Sequence, residues 1–392
     1  MRKTTLLLAT LSAASIGNLG IAADLGSNTT VGGQAFLDFS NIKLRNQNAA
    51  GAYVDSAPTG TGFDAKRFYL SVDHKFDDVW SANLTTDAQY SSSTTAGSGG
   101  VTEVFIKKLY LQYKLDDAFV VHAGAYTSPW APFVEGLYGY RYIEKTQTDR
   151  LGFAQTADWG LNATGTAADK KLVYSASVVN GGGYKNPSRT KDVDFEGRIG
   201  VLPVSWLTLG AGFYSGHLGQ VTAVNSGFAK NTATRWDLTA GVNVVGFRVG
   251  AEYFDAKNYK TASATTGSLG GPAGVVIATS ATGTVVDDEA SGVSTWASYN
   301  FTNQVSVFGR YDRAKLSKKV DTGLKDTYFN VGVAYKPYKP LDLALVYKHE
   351  KVDRGLISIS GADANGSYAI GGVNPATGGK FDEVGVYAQY NF

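Results

Sequence analysis

From about residue 29 onward the chain alternates apolar and polar positions in runs of about ten residues, each closed by a turn. Such alternation marks a strand with two unlike faces, because successive side chains point to opposite sides of a sheet. The pattern predicts sixteen strands, at 29–42, 62–75, 78–90, 102–114, 117–127, 151–163, 170–180 and 190–201, then 205–217, 233–245, 246–257, 289–300, 303–316, 325–336, 340–351 and 381–392. Their connections alternate between short and long. Short turns fall at Phe76-Asp77, Leu115-Asp116, Ala167–Asp169, Leu202–Val204, Val245-Gly246, Thr302-Asn303 and Tyr338-Lys339. Long connections span 43–61, 91–101, 128–150, 181–189, 218–232, 258–288, 317–324 and 352–380. Tight turns at one end and long loops at the other fit an up-and-down barrel that crosses a membrane. A soluble sandwich has no reason to sort its loops this way.

Individual strands show which face is which. Val384, Val386, Ala388, Tyr390 and Phe392 oppose Glu383, Tyr387, Gln389 and Asn391, while Leu341, Leu343, Leu345 and Tyr347 oppose Asp342, Lys348 and Glu350. Trp80 and Tyr90 share a face with Ala82, Leu84, Thr86 and Ala88 between them. At about 3.3 Å per residue and a tilt of about 40°, that spacing spans about 25 Å vertically, the separation of two aromatic girdles. Lys107 breaks the pattern, because it shares a face with Phe105, Leu109 and Leu111. A bulge at Lys107-Lys108 restores it; otherwise that face meets protein, as at a subunit interface. Sheet edges cannot face hydrocarbon, so the first strand, with Phe36, Leu37 and Phe39, is expected to pair with the last. The expected fold is all-β: a transmembrane antiparallel up-and-down β-barrel of about 16 strands, with long extracellular loops and short periplasmic turns. The Gly-, Ser- and Thr-rich loops, as at Ser91–Gly100 and Thr261–Gly271, are expected to be mobile.

Composition adds compartment. Arg2 and Lys3 precede an apolar stretch at Leu6, Leu7, Leu8, Ala9 and Leu11, and small residues follow to Gly20–Ala23. This is the layout of an export signal over 1–23, leaving 24–392 as one barrel domain. Ser12, Ser15, Gly17 and Asn18 interrupt the apolar stretch, which favours a cleaved signal over an anchor. No later run approaches the roughly twenty apolar residues of a membrane helix. Without Arg2 and Lys3 the chain has 34 basic and 34 acidic residues. It therefore lacks the global basic field that would suggest nucleic acid.

Alternation places several charged residues of the strands on the polar, lumen-facing side. Arg67, Lys108, Arg198, Arg235, Arg248, Arg310 and Lys348 share it with Asp73, Asp87, Glu196, Asp237, Glu252, Asp312 and Glu350. Arg rings select anions and acidic rings select cations. Both signs occur here, often two residues apart, so most pairs read as lateral salt bridges worth about 0–1 kcal/mol each. The third long loop carries Glu135, Arg141, Glu144, Lys145, Asp149 and Arg150 among Trp130, Phe133, Tyr138, Tyr140 and Tyr142. Folded into the lumen, these charges would narrow and polarise a pore; left outside, they would be an ordinary solvated loop. The histidines His74, His122, His217 and His349 have no metal-ligand spacing, and nothing singles out a nucleophile. Neither an enzyme nor a cofactor is expected. Asp363-Ala364-Asn365-Gly366 reads as a turn rather than a calcium loop.

The ending Tyr387-Ala388-Gln389-Tyr390-Asn391-Phe392 resembles the assembly signal of bacterial outer-membrane proteins. Ala65-Lys66-Arg67-Phe68-Tyr69-Leu70-Ser71-Val72, followed by Trp80, resembles a hairpin of the phosphate-selective porin O/P-like family. So does Leu109-Tyr110-Leu111-Gln112-Tyr113, leading through Gly124 to Ser128-Pro129-Trp130 and Arg141-Tyr142-Ile143-Glu144. The likeness covers 62–165. It implies a trimeric, sixteen-stranded barrel whose third loop folds inward, with Arg141, Glu144, Lys145 and Arg150 at a pore constriction. It also implies that Tyr390 and Phe392 are read by the barrel-assembly machinery of a Gram-negative cell. The basic ladder on which that family's anion selectivity depends has no residue-by-residue match here. The expected function is passive diffusion of small hydrophilic solutes or ions through a water-filled lumen, in contact with outer-membrane lipid and lipopolysaccharide. The alternatives are a sugar-preferring pore, with stacking on the aromatic loop, and a structural or adhesive barrel with a closed lumen.

Overall fold

The computed structural model describes residues 23–24, 28–91, 101–187, 189–221, 232–259, 288–319, 321–360, 367–372 and 377–392. Sixteen strands run through them. They are β1 (Thr29–Gln47), β2 (Tyr53–Lys75), β3 (Trp80–Ser91), β4 (Val101–Lys114), β5 (Val120–Thr127), β6 (Ala157–Ala167), β7 (Leu172–Val179) and β8 (Asp194–Val204). The series continues with β9 (Leu207–Gly216), β10 (Ala233–Val244), β11 (Phe247–Lys257), β12 (Glu289–Asn300), β13 (Val305–Lys315), β14 (Lys325–Tyr338), β15 (Leu341–Asp353) and β16 (Gly379–Asn391). Each pairs antiparallel with its chain neighbours, and β16 pairs with β1 from Gly379↔Asn46 to Asn391↔Gln34. That seam closes the barrel, so every strand has two partners. Ala23–Asp24 adds a two-residue bridge to the foot of β1.

Alternation along each strand separates two environments. In β16, Val384 and Val386 are exposed outward while Glu383 and Tyr387 are buried inward. In β15, Leu345 and Tyr347 face out, and Lys348 and Glu350 are buried. An exposed apolar band around a closed, internally polar barrel is the inverse of a water-soluble core, and it requires a lipid surround. The inward lysine doublets obey the same logic. Thr85 pairs with Lys108 and Thr86 with Ile106, so Lys107 is the extra residue of a β-bulge. Lys107 then points inward to donate to the Tyr69 hydroxyl at 2.9 Å. A second bulge lies between β1 and β2, where Phe36 pairs with Arg67 and Leu37 with Ala65. It turns both Lys66 and Arg67 inward, where both are buried.

Three expectations need correction. The first long connection, 43–61, is mostly strand: β1 and β2 continue to Gln47 and from Tyr53, leaving a turn at 48–52. A register shift between Ile42 and Leu44 breaks the alternation there, and Thr59 Oγ1 accepts the Leu44 N–H at 2.9 Å in place of a ladder partner. Residues 151–156 belong to the third connection, because β6 begins at Ala157. The connection after β15 is not wholly irregular, since it contains a hairpin of Leu356–Ser360 with Ser367–Gly371. The export signal, 92–100, 261–271, Asp363–Gly366 and the Tyr90 side chain lie outside the described residues. Among the described residues, β2 pairs with β3 over Leu70–Lys75 with Ser81–Thr86.

Candidate functional site

The third connection, L3 (128–156), does not extend away from the barrel. It leaves β5, passes through Ser128-Pro129-Trp130 and forms helix α1 (Ala131–Tyr138) with a proline in its first turn. Gly139, at φ 80°, ends α1 in the left-handed region and donates to the Glu135 carbonyl at 2.8 Å. A side chain there would collide with the Arg248 guanidinium. A second, one-turn helix α2 (Gln147–Arg150) precedes the return to β6. Most of L3 is buried; Glu135–Leu137, Gly139, Arg141, Gly152 and Gln155 keep solvent exposure.

The inward arginines of the wall hold the loop by its backbone. Arg198 Nε donates to the Pro129 carbonyl at 2.7 Å and covers the Phe133 ring, while Arg235 donates to the Phe153 carbonyl at 2.6 Å. Arg248, half-buried near the short-turn end, reaches the Tyr138 carbonyl at 3.4 Å. Arg310 donates to the Lys145 carbonyl and is itself fixed by two bonds to Asp312, at 2.8 and 2.5 Å. Acidic wall residues complete the clamp. Glu252 accepts from Trp130 Nε1 and Thr148 Oγ1, both at 2.9 Å. Arg150 is fully buried between Glu350, Asp326 at 2.6 Å and Asp312 at 3.6 Å, above the Tyr328 ring. Glu144 faces Lys348 at 3.4 Å. Burial alone would raise the Glu144 carboxyl, but Lys348 and Lys66 hold it down at about 2, so it stays charged.

A different set lies in the interval between L3 and the β2–β4 wall. Arg141 pairs with Glu135 at 2.5 Å and approaches Asp149 at 3.7 Å; Lys145 approaches Asp149 at 3.5 Å. Across from them lie Arg67, 3.8 Å from Asp87, Lys107 above the Tyr69 ring, and Lys108, which is within electrostatic reach of Glu135. Burial lowers the Lys145 ammonium to about 8, and the charges of Arg67 and Arg141 act in the same direction against Asp149. Thus the residues singled out in sequence separate into two groups. Glu144, Arg150, Arg198, Arg235, Arg248 and Arg310 contact the loop or tether it. Arg67, Lys108, Arg141 and Lys145 border the gap. Lys107 joins this second group through its bulge; only the break in alternation signalled it in the sequence. Tyr390 and Phe392 lie at the other end of the barrel, where Phe392 and Gly33 exchange backbone bonds at 2.7 and 3.0 Å. Among the described residues there is no cluster of histidine and carboxylate groups suited to a metal.

No family model matches the chain, and no curated protein does either. Solved structures match in fold. An anion-selective porin from Comamonas acidovorans aligns with TM-score 0.60 at 13% identity, over 92% of this chain and 99% of that one. The outer-membrane channel DcaP of Acinetobacter baumannii aligns with TM-score 0.59 at 13% identity, over 96% and 100%. OmpF of Salmonella typhi, in complex with daunomycin, aligns with TM-score 0.56 at 10% identity, over 94% and 100%. At such identity the likeness carries architecture and not the role of any residue. With its continuous lipid-facing band and closed sixteen-strand sheet, the chain is an outer-membrane β-barrel of the porin fold.

Proposed function

We propose that the barrel is a water-filled diffusion channel for small hydrophilic solutes that favours anions, with its narrowest point between L3 and the β2–β4 wall. The observation that carries this reading is the charge count at that gap. Arg67, Lys107, Lys108, Arg141 and Lys145 face four nearby carboxylates, Asp73, Asp87, Glu135 and Asp149, an excess of one cation. The remaining wall arginines are occupied with L3 and Asp312, so they add little field there. Fixed charge in a narrow aqueous passage with low-dielectric walls concentrates counter-ions far more than the same charge on an open surface. Phosphate belongs to this anion class, although the basic ladder of the family resembled over 62–165 has no match here; the fold neighbour described as anion-selective is consistent with an anion preference.

The test is a reversal potential across a planar bilayer in a salt gradient. Replacing Lys107, Lys108 and Arg141 by Gln should lower the anion-to-cation permeability ratio, and Glu135→Gln should raise it. Both effects should shrink from 0.1 M to 1 M salt, as the Debye length falls from about 10 Å to about 3 Å. Reversal potentials that stay fixed in both variants at low salt would place the selectivity elsewhere.

A further inference from the structure

Outside the lumen, on the lipid-facing side near the long-loop end, a concavity of about 520 Å³ opens between β11, β12, β13 and the loop that follows β13. Tyr253 and Val293, exposed outward, form its apolar floor. Lys315 and Lys318 form its upper rim, and Arg313 stands beside Val293, its partner across the ladder. The loop is held in place: Asp288 Oδ1 accepts the Lys318 and Lys319 backbone N–H groups at 3.2 and 3.1 Å, and Glu289 accepts the Lys318 N–H through its carbonyl at 2.7 Å. Lys318 Nζ then spans to Asp255 at 2.5 Å. The groove is therefore a built feature, amphipathic from floor to rim.

Its cations are in excess. Arg313 and Lys315 are outward positions of β13, and Lys315 lies directly opposite Lys325 of β14, which borders the concavity and has on its other side Asp353, itself paired with Lys351. Arg313, Lys315 and Lys325 have no ion-pair partner among the described residues. Like charges facing each other across neighbouring strands are destabilising, and a shared anion reverses the sign. A soluble anion needs no apolar floor, whereas a phosphorylated lipid head brings acyl chains that cover one. We propose that this groove seats the phosphorylated head of an outer-leaflet glycolipid, with a phosphate between Arg313, Lys315 and Lys325 and the acyl chains descending over Tyr253 and Val293. The proposal rests on the membrane orientation of the barrel, long loops outward, and is independent of what passes through the lumen.

The experiment uses the full-length protein in neutral detergent, titrated with diphosphoryl lipid A and with its dephosphorylated analogue, and read by native mass spectrometry. The variant Arg313→Ser, Lys315→Ser, Lys325→Ser should bind the phosphorylated lipid about tenfold more weakly or worse, with one charge-assisted bond to phosphate lost per residue. The dephosphorylated lipid should bind the native protein no better than it binds the variant. Equal binding of the phosphorylated lipid by native protein and variant would overturn the proposal. So would equal binding of the two lipids, or full displacement by millimolar inorganic phosphate, which would assign the groove to a soluble anion. Single-channel conductance of the same variant should match the native step, which separates loss of this site from loss of the barrel or of the channel reading.

Discussion

Arg150 shows what a charge costs inside this barrel and how the cost is met. Its side chain is fully buried, and Asp312, Asp326 and Glu350 crowd around it. Removing one partner of such a group strands the others without water, which typically costs about 3–5 kcal/mol. Arg150→Met should therefore lower the unfolding midpoint in lipid vesicles and free α2, seen as increased open-channel noise; adding Glu350→Gln should recover part of the loss. Leu84 and Thr85 pose the opposite problem. Leu84 is 37% exposed on the lipid face, and Thr85 is 0% exposed in a hydrogen-bonded set with Ser71 and Asn83. Leu84→Arg should destabilise by about 2–4 kcal/mol at the bilayer midplane, and Thr85→Ser, which keeps the hydroxyl, much less; equal penalties in urea titrations would reverse the faces assigned to β3. Lys145 makes selectivity depend on pH. Its ammonium titrates near 8, so one positive charge leaves the gap as pH rises through that value. The anion-to-cation permeability ratio should fall between pH 7 and 9 in the native protein, and the fall should be smaller in Lys145→Gln.

Among the elements, the strands were legible because lipid enforces alternation through the middle of the membrane, where a misplaced charge costs about 2–4 kcal/mol. The same rule explains the bulges. A lysine doublet in an alternating strand puts one ammonium on the lipid side unless an extra residue resets the register. The sequence of β4 announced that conflict at Lys107-Lys108, and the structure resolves it by the bulge. The equivalent doublet Lys66-Arg67 carries the same signal and was read only as an inward Arg67; its bulge follows by the same physics. L3 was legible in composition but not in partnership, since no local pattern says which wall arginine meets which carbonyl 69 or 165 residues away. The upper part of β2 gives no period because Ser, Ala, Pro, Thr and Gly fill 56–62, and that of β1 gives none because Leu44 is the single apolar residue of 43–47, next to a register shift. Deleting Lys107 should remove the bulge, leave the rest of β4 on its proper face and yield near-native amounts of heat-modifiable barrel. Deleting Tyr311, within the unbroken register of β13, should throw half that strand onto the wrong face and abolish it.

For the whole molecule, the critical event is closure, because an unpaired edge in hydrocarbon leaves a row of unsatisfied amides. The seam between β16 and β1 joins residues more than three hundred positions apart, so it forms after the intervening hairpins have been laid down. Its foot is pinned by Phe392. The backbone of Phe392 exchanges two bonds with Gly33, and its ring lies against Phe68 of β2, with centroids 5.7 Å apart, and Tyr390, 6.1 Å apart. Two roles are thereby combined in one residue, and they are separable. Phe392→Ala retains both backbone bonds and loses the rings; deletion of Phe392 loses both. If assembly depends on recognition of the ring, the two variants should accumulate in the periplasm to the same extent, with export unchanged. If it depends on the backbone seal, the alanine variant should reach the membrane and resist heat in detergent nearly as the native barrel does, while the deletion fails. We expect the first outcome, because two hydrogen bonds at about 1 kcal/mol each are a small part of a thirteen-pair seam, whereas the aromatic cluster ties the chain end to a third strand, β2. Native levels of heat-modifiable barrel in both variants would remove Phe392 from assembly altogether and leave the seam to the remainder of β16.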